Sequence, residues 1–261
     1  MLHKPVLAIA LAAVGTSPTA AADPHFSHQE WTTVLQRFVD DRGFVDYDAL
    51  AKNRKTFDSY IERLVRTSPE NERALFSTRD DRLAYYINAY NAQVFAGVLD
   101  RGPEKVSVWK GGLISGYRFF VKRKIEFGGR TMSLKHLEDK VIRAQFQDPR
   151  IHAALNCASI SCPRLPREAF LADRLDQQLD AAMREFVADE QNVEVDTNRK
   201  TVRLSKIFDW FKGDFLDYEL SQGNDRPALL DYINRYRGHG AQLPHDYGVE
   251  FLPYDKAINQ Q

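Results

Sequence analysis

The chain has 261 residues, enough for one large domain or two small ones, and either arrangement can bury a sizeable core. With 43% hydrophobic, 28% charged and 11% aromatic residues, the composition excludes a wholly disordered chain, a collagen and a disulfide-dense mini-scaffold. Lys+Arg and Asp+Glu each total 36, so the formal net charge is zero. No overall basic excess is present for binding nucleic acid or an anionic membrane, and we expect no nucleic-acid partner.

Residues 1–22 are predicted to be a cleavable secretory signal. A basic start is followed by a short apolar stretch, Val6–Val14, and then by small residues up to an Ala-x-Ala end at Ala22. The apolar stretch is too short for a spanning helix, which needs roughly 20 residues. We therefore expect cleavage near Ala22–Asp23, a periplasmic or secreted product, and no transmembrane segment in the mature chain.

The rest of the chain, residues 23–261, is predicted to fold as a helix-rich single α+β domain with a core of about 25–258. Ser27 and Glu30 form the pattern of a capping box at the start of the first helix. Apolar residues at helical spacing predict helices at about 27–41, 50–65, 80–99, 134–146, 173–188, 207–211 and 227–238. The glycine-containing stretch 103–118 is predicted to be a loop.

Two β-hairpins are predicted, one turning at Gly128-Gly129 and the other at Asn198-Arg199. Together they are expected to form a small, mostly antiparallel sheet. The strand-like segments are 119–121, 124–127, 130–132, 193–195 and 201–204, with a last strand at 249–252.

The chain has only two cysteines, Cys157 and Cys162, five positions apart. In an oxidising compartment the simplest expectation is a disulfide between them. It would close a very small loop and contribute on the order of 2 kcal/mol, which a core of this size does not require. The pair can therefore also be a nucleophile, a redox couple or a set of metal ligands, and these alternatives remain open.

Two stretches carry a resemblance to a known family. Tyr85–Ala92 and, more specifically, Asp148–Pro163 resemble the family known as domain of unknown function 547. The resemblance extends over about 44–259 and implies an exported bacterial member, but it implies no settled reaction. Further matching segments are Ser133-Leu134, Leu137-Glu138, Leu204-Ser205, Phe208–Phe211, Asp214-Phe215 and Tyr254-Asp255.

A thiol-dependent hydrolase or transferase, acting on a peptide, amide or thiol-containing substrate, is the leading functional hypothesis. Cys157 would be the nucleophile and His152 the base, because a nearby imidazole lowers the pKa of a thiol. His136 is the alternative base and Asn156 a polar supporter. Papain-like and transglutaminase-like enzymes are analogies only. A buried structural histidine is an equally good interpretation of His152.

Three further polar residues are candidates for supporting roles. Asn88 and Asn91 lie three positions apart on one helix and can donate to an oxyanion, although holding loop carbonyls is the better-favoured role. Asp214 can orient a catalytic histidine, although an N-cap or a bond to an arginine is the simpler expectation.

A zinc site is the weakest of the alternatives. His152, Cys157, Cys162 and His136 could form a four-ligand shell, but the Cys-x4-Cys interval is wider than most zinc knuckles and a second cysteine pair is missing. We therefore predict no metal and no cofactor. The second functional hypothesis is a binding or scaffold module with a structural Cys157–Cys162 disulfide, and the third is a thiol–disulfide exchange protein. Substrate, partner and oligomeric state are not predicted.

Overall fold

The structure, a computed structural model, describes residues 25–102, 108 and 116–261. The predicted signal, residues 1–22, and most of the predicted loop at 103–118 lie outside these residues. Within the described part of the chain, no helix has the length and apolar character needed to cross a membrane.

Helices dominate the described residues. The α-helices are α1 (Gln29–Phe38), α2 (Tyr47–Lys52), α3 (Lys55–Arg66), α4 (Arg79–Arg101), α5 (134–146, with a central π-helical stretch), α6 (Leu175–Ala188), α7 (Lys206–Trp210), α8 (Lys212–Ser221) and α9 (Leu229–Tyr236). Short 3-10 turns occur at Arg73–Phe76, Pro149–Ala153 and Ala172–Arg174.

Five strands form two separate sheets. Strands β1 (Ile125–Phe127) and β2 (Arg130–Met132) make an antiparallel hairpin. Strands β3 (Val193–Asp196) and β4 (Thr201–Leu204) make the second hairpin, and β5 (Gly248–Phe251) joins β4 in parallel. The α+β class and both hairpins are confirmed.

The prediction of one shared sheet is wrong, because each hairpin packs against a different partner. At the turn of the first hairpin, the amide of Gly128 donates to the carbonyl of Leu64 at 3.1 Å, and that of Gly129 donates to the carbonyl of Val65 at 3.1 Å. This hairpin is thereby attached to the end of α3, whereas the second hairpin extends its sheet with β5 from the end of the chain.

Three local predictions also need correction. The capping box is absent, because the carboxylate of Glu30 bonds Ser59 and Arg63 on α3 instead of its own helix terminus. The predicted strand at 119–121 is a helical turn, Arg118–Lys122, in which buried Phe119 faces Gly97 of α4. Helix α8 was not predicted, because its apolar residues do not form a clear stripe.

Helix α4 lies at the centre of the larger hydrophobic core. A true capping box of Thr78 and Asp81 starts it, and nearly all of its residues from Leu83 to Leu99 are buried. A helix with apolar surroundings on every side must satisfy its polar side chains internally. A second cluster gathers around Phe208, Phe215 and Tyr232.

Candidate functional site

The two cysteines form a disulfide at the surface of the fold. Both residues are partly exposed. The backbone amide of Cys157 donates to Sγ of Cys162 at 2.9 Å. The hydroxyl of Tyr254 lies 3.1 Å from Sγ of Cys157 and 3.2 Å from Sγ of Cys162. Burial raises the pKa of Tyr254, so the phenol keeps its proton and can donate to either sulfur.

Buried amide side chains hold the cysteine loop in place. Nδ2 of Asn91 donates to the carbonyl of Ala154 at 2.9 Å, and the Asn91 carbonyl accepts the amide of Asn156 at 2.9 Å. Nδ2 of Asn156 donates to the carbonyl of Pro163 at 2.8 Å, and its Oδ1 accepts the amide of Ala158 at 2.8 Å. The last bond supports Ala158 in a left-handed conformation, φ +59°, which residues other than glycine rarely adopt. These side chains therefore fix the loop.

The end of the chain completes the same region. The amide of Ile160 donates to the carbonyl of Ala257 at 2.8 Å, and the amide of Asp255 donates to Oγ of Ser161 at 2.8 Å. These bonds place Tyr254 beside the disulfide. The adjacent ring of Trp210 lies 4.7 Å from that of Tyr254, and Trp210 is 49% exposed.

His152 is held by Asp214 and Phe211. Its Nε2 lies 2.8 Å from Oδ2 of Asp214, and its ring stacks on Phe211 with centroids 4.0 Å apart. Burial lowers the pKa of His152 despite the opposing effect of Asp214, so the ring is neutral at pH 7 and Nε2 carries the proton that it donates. Among the described hydrogen bonds, none joins this ring to either sulfur.

Asp214 also binds Arg143 with both carboxylate oxygens, at 2.7 Å from Nε and 2.8 Å from Nη2. Burial opposes the charge of Asp214, but the bonds from His152 and Arg143 keep its pKa well below the ordinary value. Asp214 thus bonds a histidine and an arginine in one arrangement, and it is not the N-cap of α8, whose N-cap residue is Phe211.

The disulfide and His152 line a pocket of about 620 Å³. Apolar and aromatic side chains make up most of its wall, among them Phe120, Leu155, Ile207, Trp210 and Phe211. Its polar members include Tyr90, Lys135, Glu138, Arg143 and Tyr254.

Glu138 is the most unusual polar group of the pocket. The hydroxyl of Tyr90 donates to its Oε2 at 3.2 Å. The pKa of Glu138 is raised to about 7, mainly by burial and secondly by the neighbouring charge of Asp139. Sequence reasoning missed its role, although Glu138 follows Leu134 by four positions and therefore falls on the apolar stripe of its helix. A carboxylate on that stripe was the available signal.

The remaining predicted residues lie outside this pocket. His136 is exposed on α5, and its described hydrogen bond is made by its backbone amide to Ser133. Nδ2 of Asn88 donates to the carbonyl of Phe170 at 2.7 Å, and the amide of Phe170 donates back to Oδ1 of Asn88 at 3.0 Å. Asn88 thus holds the loop that contains Phe170.

The described residues provide few ligands for a metal ion. Cysteines that are bonded to each other cannot act as thiolate ligands. No group of three or more His, Cys, Asp or Glu side chains suited to a metal occurs among the residues that the structure describes.

The chain is therefore an α+β protein with a disulfide-lined pocket beside a buried helix. Residues 75–187 match the model of the family described as protein of unknown function, DUF547. The match contains both Tyr85–Ala92 and Asp148–Pro163, so the resemblance is confirmed there. Comparison with the curated proteins and with the solved structures finds no match.

Proposed function

We propose that this protein is an exported binding protein whose pocket takes a small molecule with a flat apolar body and one amine or hydroxyl group. The observation that carries the proposal is the pocket of about 620 Å³ with a single raised-pKa carboxyl, Glu138, in its wall. Small-molecule sites are typically concave, mostly apolar and of roughly 300–1,000 Å³, with a few convergent polar groups.

The aromatic wall accounts for the apolar part of the ligand. Trp210 and Phe211 line the pocket, and flat ligands stack favourably on aromatic rings. Trp210 is 49% exposed, which leaves apolar surface for a ligand to cover.

Glu138 accounts for the polar part. Its carboxyl already accepts one bond from Tyr90, and further acceptor positions remain on its two oxygens. A ligand amine would favour the ionised carboxylate, whereas a hydroxyl can bond either form. With a pKa of about 7, the group can serve both near neutral pH.

Export is part of the proposal and is supported by one sequence prediction and one structural observation. The first is the predicted signal at residues 1–22, and the second is the Cys157–Cys162 disulfide, a bond typical of oxidising compartments.

The geometry favours binding over the cysteine-dependent hydrolase or transferase. That reaction needs a free Cys157 thiolate, and this sulfur is bonded to Cys162. His152, the expected base, is neutral with Nε2 directed to Asp214. A hydrolase would need reduction of the disulfide and a new approach of the imidazole to the sulfur.

Binding is tested with a matched series of 2-phenylethylamine, 2-phenylethanol and ethylbenzene, observed by ligand NMR and by Trp210 fluorescence. We expect the amine and the alcohol to bind more tightly than the hydrocarbon. Glu138→Gln should abolish the advantage of the amine over the alcohol at pH 8, since the charge is lost. Glu126→Gln, on β1 outside the pocket, is the matched control.

Two outcomes would contradict the binding proposal. One is that no member of the series contacts the folded protein. The other is that the signals are the same in Trp210→Phe and Glu138→Gln as in the unchanged protein, which would place any binding elsewhere.

A thiol–disulfide exchange protein is the second candidate, because the disulfide is partly exposed and lines the pocket. Incubating the native protein with reduced glutathione, followed by alkylation and mass spectrometry, tests it. We expect the native disulfide to be reduced at least as fast as that of the urea-unfolded chain. A native disulfide that resists millimolar glutathione would eliminate this candidate.

A further inference from the structure

We infer that thiol–disulfide exchange at this site has a fixed direction: a small thiol attacks Sγ of Cys157, and Cys162 leaves as the thiolate. The inference rests on the second candidate function. It assigns separate roles to the two sulfurs and makes Tyr254 a positioning residue.

The two sulfurs differ in their hydrogen-bond donors. Sγ of Cys162 accepts the backbone amide of Cys157 at 2.9 Å. Among the described contacts, Sγ of Cys157 has no backbone donor. An amide aimed at a sulfur stabilises negative charge on it and lowers the pKa of the thiol. A sulfur with the lower pKa is the better leaving group in exchange.

Tyr254 adds a second donor to the leaving sulfur. Its hydroxyl lies 3.1 Å from Sγ of Cys157 and 3.2 Å from Sγ of Cys162. When the sulfur–sulfur bond breaks, the hydroxyl can direct its proton to the Cys162 thiolate without moving far. The charged side chains that line the same pocket are Lys135, Glu138 and Arg143.

The first chemical step is an exchange. A substrate thiolate attacks Sγ of Cys157, a sulfur–sulfur bond forms between them, and the Cys157–Cys162 bond breaks. The bonding electron pair goes to Sγ of Cys162, where the amide of Cys157 and the hydroxyl of Tyr254 stabilise the charge.

The second step releases the product. A second substrate thiolate attacks the substrate sulfur of the mixed disulfide, and Cys157 leaves as a thiolate. Two substrate thiols are thereby oxidised to one small disulfide, and the protein disulfide is reduced by two electrons to two cysteines. The two protons of the substrate thiols pass through solvent to the two cysteines.

The pocket indicates a low-molecular-weight thiol as the substrate. Both sulfurs are reached from a pocket of about 620 Å³ whose wall includes Trp210 and Phe211. A small thiol can enter such a space, whereas a cysteine on the surface of a folded protein would have to bring its own backbone into it.

The direction is tested by mixing the oxidised protein with excess reduced glutathione without oxygen, then quenching with a large excess of iodoacetamide at successive times. Peptide mass spectrometry should find glutathione on Cys157 and the alkyl group on Cys162. Glutathione found mainly on Cys162 would overturn the direction while leaving exchange intact. A disulfide that does not react would overturn exchange itself.

Substrate size is tested by comparing the rate at which glutathione reduces the disulfide with the rates for reduced, unfolded ribonuclease A and for a folded protein that carries one surface cysteine. We expect glutathione to react much faster than the folded protein thiol. Equal rates would overturn the assignment of a small-molecule substrate.

The role of Tyr254 is tested with Tyr254→Phe, with Tyr218→Phe on α8 as the matched control. In the Cys157→Ser background, the thiolate absorbance of Cys162 gives its pH midpoint. We expect Tyr254→Phe to raise this midpoint and to slow exchange of the two-cysteine protein roughly fivefold, the effect of one lost hydrogen bond. An unchanged midpoint in a folded Tyr254→Phe protein would remove Tyr254 from the proposal.

Discussion

Glu138 is a single side chain that is unfavourable for folding and that we propose to be useful for binding. A carboxylate on the apolar stripe of α5 is taken out of water, and its neighbour Asp139 adds a like charge. The bond from Tyr90 offsets part of this cost. A polar group kept at such a cost within a pocket is a typical feature of functional sites.

The first prediction concerns Glu138→Gln and the pH dependence of stability. The pKa of Glu138 rises from 4.5 in the unfolded chain to about 7 in the folded protein. Between these values the folded protein binds more protons at this site, so the contribution of Glu138 to the free energy of unfolding falls as the pH rises. In urea unfolding, the free energy of unfolding of Glu138→Gln should rise relative to that of the unchanged protein between pH 5 and pH 8. The expected rise is on the order of 2 kcal/mol.

Glu126→Gln provides the control for this measurement, because Glu126 is exposed on β1. Its stability should follow that of the unchanged protein across the same pH range. An equal pH dependence in Glu138→Gln and the unchanged protein would show that the carboxyl of Glu138 is ionised at its ordinary pKa.

The hydrogen bonds of Asp214 join three parts of the chain. Asp214 lies on α8, Arg143 on α5, and His152 in the turn Pro149–Ala153 that leads into the cysteine loop. Each partner donates to the same carboxylate. A carboxylate shared by two donors fixes the relative positions of their elements more firmly than two separate surface pairs.

The second prediction is that Asp214→Asn destabilises the fold. The substitution removes the charge that Arg143 pairs with and exchanges one acceptor for a donor, leaving a half-buried donor without a partner. We expect a loss of about 1–3 kcal/mol in urea unfolding. Asp217→Asn, on an exposed position of the same helix, should change the free energy of unfolding by less than about 0.5 kcal/mol.

A loss of equal size in the two variants would show that Asp214 acts through the net charge of α8. It would then have no special role in holding Arg143 and His152.

In the whole molecule, the disulfide constrains only a short segment of the chain. It joins positions five apart, so it restricts only a short part of the unfolded chain. Stability at large comes from the two hydrophobic clusters, the larger of them arranged around α4.

The third prediction is that the double variant Cys157→Ser, Cys162→Ser stays folded. The expected loss is about 2 kcal/mol, from the entropy of closing a short loop. Thermal unfolding by circular dichroism should therefore show a cooperative transition at a moderately lower temperature. Loss of the transition would show that the whole fold, and not only the loop, depends on this bond.

The elements that could be predicted are those indicated by residues close together in the sequence. The helix from Arg79 and both hairpins were predictable, because their capping, spacing and turn residues are neighbours in sequence. The helical turn at Phe119 was not, because a buried partner on α4 decides its conformation. The parallel pairing of β4 with β5 joins segments more than 40 residues apart.

In the candidate site, the residue types could be predicted from the sequence, whereas their hydrogen-bond partners could not. Cys157, His152 and Asp214 were singled out from residue type and spacing, and they lie in or beside one pocket. The bond between His152 and Asp214 spans 62 positions, and that between Tyr254 and Cys157 spans 97. Side-chain partners at such separations are set by how the helices pack.

Residue types along the chain were enough to predict the helix-rich α+β class, the two hairpins, the match of residues 75–187 to a family model and the distinctive cysteine stretch. Each of these depends on residue types over a short span of chain. The folded structure was needed to establish that the sulfurs are bonded to each other and contacted by Tyr254, that His152 bonds Asp214, and that Glu138 lines a pocket. Burial and distance between remote segments set these features, because desolvation and hydrogen bonding act on neighbours in space.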